Sequence, residues 1–451
     1  MTAEQKQKDM LQTPIGRLIP RLAVPTIISM LVTSFYNMAD TFFVGKLNSA
    51  SATGAVGVVF SYMAILQAIG FMFGHGAGNF ISRSLGKGDK ERASQMASSS
   101  FFCSLIAGGL LMVLGLIFIE PLSLFLGSTK TILPYTKDYL RYILIGSPYM
   151  MASFVLNNQL RFQGSASFAM VGIVSGAALN IALDPLLMFT FDMGIQGAAV
   201  ATAFSQLVSF IILLIGTKRG GNLHLSFKNF KLQWWIFQEI LRGGIPSLFR
   251  QGLASISAIC LNTVAGGLGG DAAIAGMSIV SRVMMFANSA MIGFGQGMQP
   301  VTGFNYGAEK YDRVKEAFWF CVKWAVLFLG LIAVAGFVFA STITGWFQTD
   351  PEVRKVAALA LKFQCVSFVC NAWIVPSNMM LQAVGKTVGA SLLAASRNGI
   401  LFLPPLYLLS HWWGILGLQL AQPIADVLSA LLAVPLTVAF LREMKQKNKN
   451  R

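Results

Sequence analysis

Four oxygen-bearing side chains interrupt long apolar segments of the sequence and are of the types that hold a small cation: Asp40, Asn180, Asp184 and Thr202. If these segments span a membrane, an ionised carboxylate within them costs roughly 3 kcal/mol or more, so two retained acids need a reason. Two carboxylates, an amide and a hydroxyl suit Na⁺, or a proton that the two acids share. The plainer alternative is an inert, hydrogen-bonded structural pair, with Thr202 bonded back to its own helix.

The positions of these residues along their segments indicate that they lie at one depth. Asn180 precedes Asp184 by four residues, which puts both on the same helix face. Asp40 lies about six residues before the end of its apolar segment, Asp184 about eight before the end of its own, and Thr202 about eight into the next. At 1.5 Å per residue, these distances are roughly 9–12 Å from the same surface. The sequence therefore predicts that the four side chains converge.

The composition indicates the elements that position them. Of the 451 residues, 55% are hydrophobic and 12% are charged, whereas soluble chains carry about 25% charged residues. Apolar runs of the roughly 20 residues needed to cross a bilayer recur along the chain. The sequence thus predicts an all-α membrane protein with twelve transmembrane helices, at 15–45, 52–83, 94–119, 134–160, 167–190, 195–217, 237–266, 273–305, 315–345, 355–384, 387–410 and 414–441.

The net charge of +16 is distributed as in a membrane protein rather than a nucleic-acid-binding one. With the N-terminus in the cytoplasm, most Lys and Arg residues between the predicted spans fall in the inner loops and the C-terminal tail. This positive-inside bias predicts an even number of spans with both termini cytoplasmic. No segment is long enough for a soluble basic domain, so we expect no nucleic-acid partner. The polar N-terminus lacks a signal-peptide pattern, so we expect the first helix to be retained.

The chain contains an internal repeat. The string FGHG at residues 73–76 recurs as FGQG at 294–297, an offset of 221 that also relates Pro25 to Pro246 and Asn157 to Asn378. After a one-residue deletion, GIQG at 194 matches GILG at 414. We therefore predict an N-terminal lobe (1–217), a cytoplasmic connector (218–236) and a C-terminal lobe with a basic tail (237–451), each lobe a six-helix bundle. A pseudo-twofold axis along the membrane normal would relate them, with a central cavity and alternating access.

The repeat indicates that the fold of a lobe does not require the two acids. Position 40 corresponds to Leu261, and position 184 corresponds to Pro404 once the deletion is counted. The second lobe therefore lacks both acids, which favours a functional role for them. For a repeat of this kind a transporter is favoured over a channel or a membrane enzyme, which duplication also produces.

Several motifs together resemble the multidrug and toxic compound extrusion (MATE) transporters. They are GxxxxERA after the second span with its echo after the eighth, LRFQG after the fourth, and LNIALDP in the fifth. The resemblance covers roughly residues 14–442 and is closest to the prokaryotic branch with an ion site in the N-terminal lobe. It implies that Asp40, Asn180, Asp184 and Thr202 form that site and couple transport to H⁺ or Na⁺, with Na⁺ as the metal that they would bind.

Other polar residues within spans are weaker candidates. We expect four of them to line the substrate cavity: Tyr36, Asn157, Arg282 and Gln296. Pro25 and Pro246 fall inside the first and seventh spans, where a proline removes a backbone hydrogen bond, so each is a candidate hinge or a plain kink. The C-lobe charges have two interpretations, a paired structural network or an arginine that disfavours cations or binds anionic substrate groups: Arg250, Arg282, Arg397 and Asp426.

The main hypothesis is a secondary active exporter of amphipathic organic cations, by antiport with H⁺ or Na⁺. We expect a monomer in the plasma membrane (the bacterial inner membrane), with organic cations and membrane lipids as partners and no cofactor beyond the coupling ion. No Walker-type phosphate loop is present, so ATP is not implied. The alternative is a flippase for lipid-linked oligosaccharides or lipids of the same broad superfamily. An enzyme is not expected, because His75, His224 and His411 are scattered.

Overall fold

The computed structural model describes residues 3–47, 49–220, 223–347 and 350–449, and within them it is helical, with no strand. Two π-helical segments, Leu186–Thr190 and Ser396–Ile400, and a 3₁₀ turn, Phe227–Asn229, complete the elements. The α-helices are α1 Ala3–Gln12, α2 Ile15–Gly45, α3 Ala50–Lys87, α4 Lys90–Ile117, α5 Ile119–Phe125, α6 Leu133–Phe162, α7 Ala166–Pro185, α8 Gly194–Gly220, α9 Trp234–Gly307, α10 Tyr311–Val338, α11 Ala340–Phe347, α12 Pro351–Phe368, α13 Asn371–Ala383, α14 Thr387–Ala395, α15 Leu403–Trp413 and α16 Ile415–Lys449.

The described helices include nine that are long and apolar enough to cross a membrane, or ten when the bent pair α12 and α13 counts as one span. The 74-residue helix α9 counts once although Gly269 and Gly270 break it with non-helical backbone angles. The 30-residue helix α6 is not among the nine. The protein is therefore an α-helical membrane protein, and the arrangement of twelve spans in two bundles stays a prediction.

The chain divides into two compact units whose boundaries cut across two helices. Unit 1 comprises Met1–Gln12 and Val24–Gly244, and unit 2 comprises Thr13–Ala23 and Ile245–Arg451. The start of α2 therefore belongs to unit 2, and the start of α9 belongs to unit 1. We call these two segments arm 1 (residues 13–23) and arm 2 (residues 234–244). The predicted lobes, 1–217 and 237–451, differ from the units by these arms and by the predicted connector, which falls in unit 1, and they stay a prediction.

Glycines let each arm pack closely within its unit. In unit 1, a methyl group on Gly243 of arm 2 would lie 2.9 Å from the Cα atom of Gly76, and a methyl group on Gly76 would overlap the backbone carbonyl of Ile240. In unit 2, a methyl group on Gly297 would lie 2.5 Å from the Cα atom of Ala23 in arm 1. Only glycine leaves room for such close backbone approach, so Gly76 and Gly297, which the repeat pairs, seat the arms.

The repeat is also visible in the local structure of each unit. In unit 1 the Asn157 amide donates to the Ala169 carbonyl at 3.1 Å, and in unit 2 the Asn378 amide donates to the Ala390 carbonyl at 2.6 Å. Both donors and both acceptors are 221 residues apart. Gly164 and Gly385, at the same offset, both have left-handed backbone angles, with φ of 81° and 84°. Both halves therefore contain the same left-handed turn after α6 or α13 and the same hydrogen bond across that turn.

Candidate cation site and substrate cavity

A cavity of about 100 Å³ lies inside unit 1, between α2, α3, α6, α7 and α8. Its polar lining includes Tyr36 and Asn37 from α2, Gln67 from α3 and Asn180 from α7, and the rest of the wall is largely apolar. A water molecule needs about 10–15 Å³ of such a cavity, so the cavity holds several waters or a hydrated ion. It is smaller than the roughly 300–1,000 Å³ of sites for drug-sized molecules. The lining carries amides and hydroxyls, and the two acids lie beyond it.

Asn180 connects this cavity to the buried acid Asp184. The Asn180 Nδ2 atom donates to Asp184 Oδ1 and to Thr202 Oγ1, both at 3.3 Å. The three side chains are buried, with Asp184 fully so. Pro185 follows Asp184 directly and begins the change from α-helix to π-helix, since a proline cannot supply the next backbone N–H. The sequence LDP therefore places a buried carboxylate at a point where the helix is irregular.

Three oxygens of this group lack a hydrogen-bond partner among the described residues. They are Oδ1 of Asp40, Oδ1 of Asn180 and Oδ2 of Asp184, and each is buried. A buried acceptor without a partner costs about 1–3 kcal/mol, and more when it is charged. The two carboxyl groups also interact electrostatically with each other, and an ionised pair in a low-dielectric interior is costly. A proton or a small cation bound here would satisfy these oxygens and remove the repulsion.

The donor set fits Na⁺ or H⁺ better than a transition metal. Among the described residues no group of three or more His, Cys, Asp or Glu side chains converges in a metal-binding arrangement. Carboxylate, amide and hydroxyl oxygens are hard ligands, which favour hard cations. The four predicted residues Asp40, Asn180, Asp184 and Thr202 all belong to unit 1, and their coupling role stays a prediction.

Sequence reasoning missed several polar residues of this region, among them the cavity-lining Asn37, two glutamines and a tyrosine. Gln67 and Gln206 line the cavity, and Gln206 interacts with the Tyr36 hydroxyl. Tyr139 is buried in the core of unit 1, and its hydroxyl interacts with Thr202. The two glutamines carry the same signal that marked Asn180, an amide inside an apolar run. A tyrosine near a helix start gives no such signal, because the membrane interface is its ordinary place.

The structure divides the residues predicted for the substrate cavity between the two units. Tyr36 and Asn157 line the cavity in unit 1. Arg282 and Gln296 lie on α9 in unit 2, where Gln296 is buried and Arg282 is exposed. A role for Arg282 and Gln296 in substrate binding therefore stays a prediction, and it concerns another part of the molecule.

Each candidate hinge proline lies two residues after the position where its helix passes from one compact unit to the other. Unit 2 ends at Ala23 and Pro25 follows two residues later, and unit 1 ends at Gly244 with Pro246 two residues later. Both prolines are buried, and the helix continues on either side of each of them. A proline interrupts the backbone hydrogen bonding of its helix, so α2 and α9 can bend at these positions.

Three of the four C-lobe charges have partners in unit 2. Arg250 donates to Asn378 Oδ1 at 3.1 Å and to Ser247 Oγ at 3.3 Å. Arg397 Nε donates to Asp426 Oδ1 at 2.8 Å in an ion pair whose acid is 1% exposed. Of the two interpretations of the C-lobe charges, the paired network therefore holds for Arg397 and Asp426.

Comparison with known proteins connects this architecture to transport. A sequence profile of the MatE family matches residues 25–186 and 246–408, one match in each half of the repeat. The multidrug export protein MepA of Staphylococcus aureus is 28% identical over 437 residues, which cover 96% of this chain and 95% of that protein. MepA of Staphylococcus haemolyticus is 27% identical over 424 residues, 94% of this chain and 93% of that protein.

Solved structures agree with the sequence matches. The outward-facing conformation of a multidrug resistance MATE family transporter of the MOP superfamily superposes with a TM-score of 0.92 at 26% identity, over 97% of this chain and 98% of that one. These matches confirm the resemblance seen in the sequence motifs. Because the profile covers most of both halves of the chain, this protein belongs to the MatE family of membrane transporters.

Proposed function

We propose that this protein exports amphipathic organic cations across the plasma membrane by antiport with H⁺ or Na⁺. The observation that carries the proposal is the set of buried, unpartnered oxygens of Asp40, Asn180 and Asp184 beside a cavity in unit 1. Buried carboxylate oxygens without partners favour the binding of a cation from solution. When that cation leaves, the oxygens again lack a partner, which costs free energy.

Each residue of the site has a role in the proposed exchange. Asp184 and Asp40 supply the negative charge, and Asn180 uses its amide N–H groups to hold Asp184 and Thr202 while its oxygen stays free. The coupling ion is thus a substrate of the protein, held by side chains of α2, α7 and α8. Neutralising the acids changes which arrangement of the surrounding helices is stable, which links ion binding to release of the organic cation.

The size of the cavity requires that the organic cation enter a wider state. A volume of about 100 Å³ admits a hydrated ion only. Pro25 lies on the same helix as Tyr36, which lines the cavity, and as Asp40, so bending at Pro25 would move the cavity wall. We therefore propose Pro25 as a hinge of unit 1 and Pro246, its repeat counterpart, as a hinge of α9.

The remaining features of the proposal follow from sequence. We propose twelve spans in two six-helix bundles, with both termini in the cytoplasm and the chain in the bacterial inner membrane as a monomer. The break at Gly269 and Gly270 in α9 supports a split of that helix into two spans. The relatives named multidrug export proteins support a range of small-molecule substrates.

The test is ethidium efflux from cells that express Asp40→Asn or Asp184→Asn. Both variants are expected to retain ethidium like cells without the transporter, because an amide does not take up a proton near neutral pH and lacks the negative charge that would hold Na⁺. Asp192→Asn is the matched control, because Asp192 is exposed and has a φ of 55°, a conformation that asparagine accepts. Efflux at the wild-type rate in both Asp40→Asn and Asp184→Asn would contradict the proposal.

Purified protein in liposomes separates the two coupling ions. An imposed inward proton gradient without sodium drives export if H⁺ couples, and a sodium gradient at equal pH on both sides drives it if Na⁺ couples. No export under either gradient, with the protein folded, would contradict antiport.

The flippase alternative draws on the C-lobe arginines, which would bind a pyrophosphate. Arg397 is already ion-paired with Asp426, and Arg250 donates to Asn378 and Ser247. This arrangement leaves Arg282 as the one C-lobe arginine of the predicted set with an exposed side chain. The geometry therefore favours the cation exporter.

A further inference from the structure

A polar cluster in unit 2 is built around Arg397, and we call it the Arg397 cluster. Arg397 Nε donates to Asp426 Oδ1 at 2.8 Å, and Arg397 Nη1 donates to Asn288 Oδ1 at 3.4 Å. Gln422 Nε2 donates to the same oxygen of Asp426 at 3.0 Å, and the Ser367 hydroxyl donates to Asp426 Oδ2 at 3.1 Å. Both oxygens of Asp426 are therefore satisfied, in contrast to Asp40 and Asp184.

The internal repeat places this cluster at the positions that form the cavity in unit 1. Offsets of 221 before the deletion and 220 after it relate the two sets. Asn288 corresponds to Gln67, Gln422 to Thr202, Asp426 to Gln206, and Arg397 to Gly176 or Ala177, according to where the deletion falls. All five unit 1 residues line the cavity. Where unit 1 has small or uncharged side chains around a cavity, unit 2 has an ion pair.

The backbone of unit 2 brings Arg397 into this position. Arg397 lies in the π-helical segment Ser396–Ile400, where the Leu401 N–H donates to the Ser396 carbonyl five residues back, at 3.0 Å. Ser257, the counterpart of the cavity-lining Tyr36, donates to the carbonyl of Asn398 in the same segment. The corresponding stretch of α7 is regular α-helix, and its own π segment begins only at Leu186. A π turn inserts one residue and re-aims the side chains around it.

We propose that Arg397 is a tethered cation that occupies the unit 2 counterpart of the cation cavity and thereby restricts cation binding to unit 1. Its guanidinium supplies to Asp426 the positive charge that, in unit 1, an ion from solution supplies to Asp40 and Asp184. The inference rests on the proposed function, because it takes the unit 1 cavity to be where cations bind. It assigns Arg397 as a residue that determines how many cations the protein binds.

The proposal predicts that removing the guanidinium opens a cation site. In Arg397→Ala the side chain is truncated, and Asp426 and Asn288 keep the oxygens that held it. Free guanidinium has the same planar donors as the lost group, so it is the probe. The measurement is the thermal unfolding midpoint of the purified full-length protein in detergent, in millimolar guanidinium chloride against equal choline chloride.

The midpoint of Arg397→Ala is expected to rise with guanidinium concentration and to saturate. Arg397→Ala/Asp426→Asn, which lacks the acid, and Arg397→Met, which fills the space, are both expected to show no rise with guanidinium beyond that of wild type. Unit 1 is the same in all of these proteins, so a difference between them in how the unfolding midpoint responds to guanidinium does not depend on unit 1. If the proposed function failed, wild type would not bind exported cations, but the difference between the first two variants would persist.

Equal responses of Arg397→Ala and of the double variant to guanidinium would overturn the proposal. Arg397→Ser leaves nearly the same space and adds a hydroxyl that can donate to Asp426, so it is measured in the same way if Arg397→Ala is not recovered folded. A saturable rise in Arg397→Ser that is absent from Arg397→Ser/Asp426→Asn supports the proposal. No difference between this second pair of variants overturns it.

Discussion

Asp184 and Asp426 are both buried acids inside apolar helices, but their surroundings differ in counter-ion and in hydrogen bonding. Asp426 has an arginine counter-ion and hydrogen bonds to both oxygens, whereas Asp184 accepts one hydrogen bond and has an oxygen without a partner. The charge of Asp426 in unit 2 is thus neutralised by a side chain of the protein, and the charge of Asp184 in unit 1 is not. The comparison indicates how a duplicated bundle can keep its fold while the proposed ion site is confined to one copy.

The largest expected effect comes from making the same acid-to-amide change in each unit. Asp426→Asn leaves Arg397 without a counter-ion, which is expected to cost about 3–5 kcal/mol of unfolding free energy. Asp184→Asn removes a charge that has no counter-ion and is expected to cost less than about 1 kcal/mol. A thiol-reactive dye measures both, because Cys103 in unit 1 and Cys321 and Cys365 in unit 2 are buried and become accessible on unfolding.

Arg397→Met/Asp426→Asn is the control for this prediction. It replaces the ion pair by groups without charge, so it is expected to recover most of the stability that Asp426→Asn loses. Equal destabilisation by Asp184→Asn and Asp426→Asn would mean that Asp184 also has a structural partner, and the contrast between the units would then fail.

A smaller effect is expected from adding one methyl group at equivalent glycines. A methyl group on Gly74 would lie 2.6 Å from Asn158 Nδ2, and Asn158 is held by hydrogen bonds to Phe154 and Arg161. Gly74→Ala is therefore expected to cost about 1–3 kcal/mol, as overpacking does. In unit 2 a methyl group on Gly295 would meet the Met379 sulfur, on a flexible side chain, so Gly295→Ala should cost less than about 1 kcal/mol.

The same dye assay applies to this pair of variants. A larger loss of stability in Gly295→Ala than in Gly74→Ala would show that Met379 is held more tightly than Asn158.

The smallest expected difference concerns the hydrogen bond that both units share. Asn157→Ala and Asn378→Ala each leave a backbone carbonyl, of Ala169 or Ala390, without its donor. Asn157→Ala is expected to cost about 1 kcal/mol. Asn378 also accepts from Arg250, so Asn378→Ala is expected to cost about 1 kcal/mol more. Unfolding midpoints measure this difference in stability between the two single variants. Asn378→Ala/Arg250→Met is expected to remove the extra loss of stability, because Arg250 is then absent. Equal losses of stability in Asn157→Ala and Asn378→Ala would mean that the Arg250 contact does not stabilise the protein.

The sequence predicted the membrane class and the family, because hydrophobic run length and motif order are properties of the chain itself. The spacing of Asn180 and Asp184 likewise predicts contact along one helix face, and the structure has a hydrogen bond between them. Such local relations need no knowledge of how neighbouring helices pack.

Other features depend on packing that spacing does not reveal. The sequence left open which arginine neutralises Asp426, because a π turn at Ser396–Ile400 shifts the face on which Arg397 lies. Gln67 and Gln206 reach the cavity through contacts between helices that are far apart in sequence. The assignment of residues 13–23 to unit 2 depends on tertiary contacts, because the helix that contains them is continuous.

The exchanged arms make each compact unit depend on both halves of the sequence. Each compact unit needs a helical segment encoded in the other half of the gene: arm 1 for unit 2 and arm 2 for unit 1. A protein made of one half alone would lack the segment that Gly76 or Gly297 seats. Neither half of the sequence therefore contains every segment of the unit to which it contributes most.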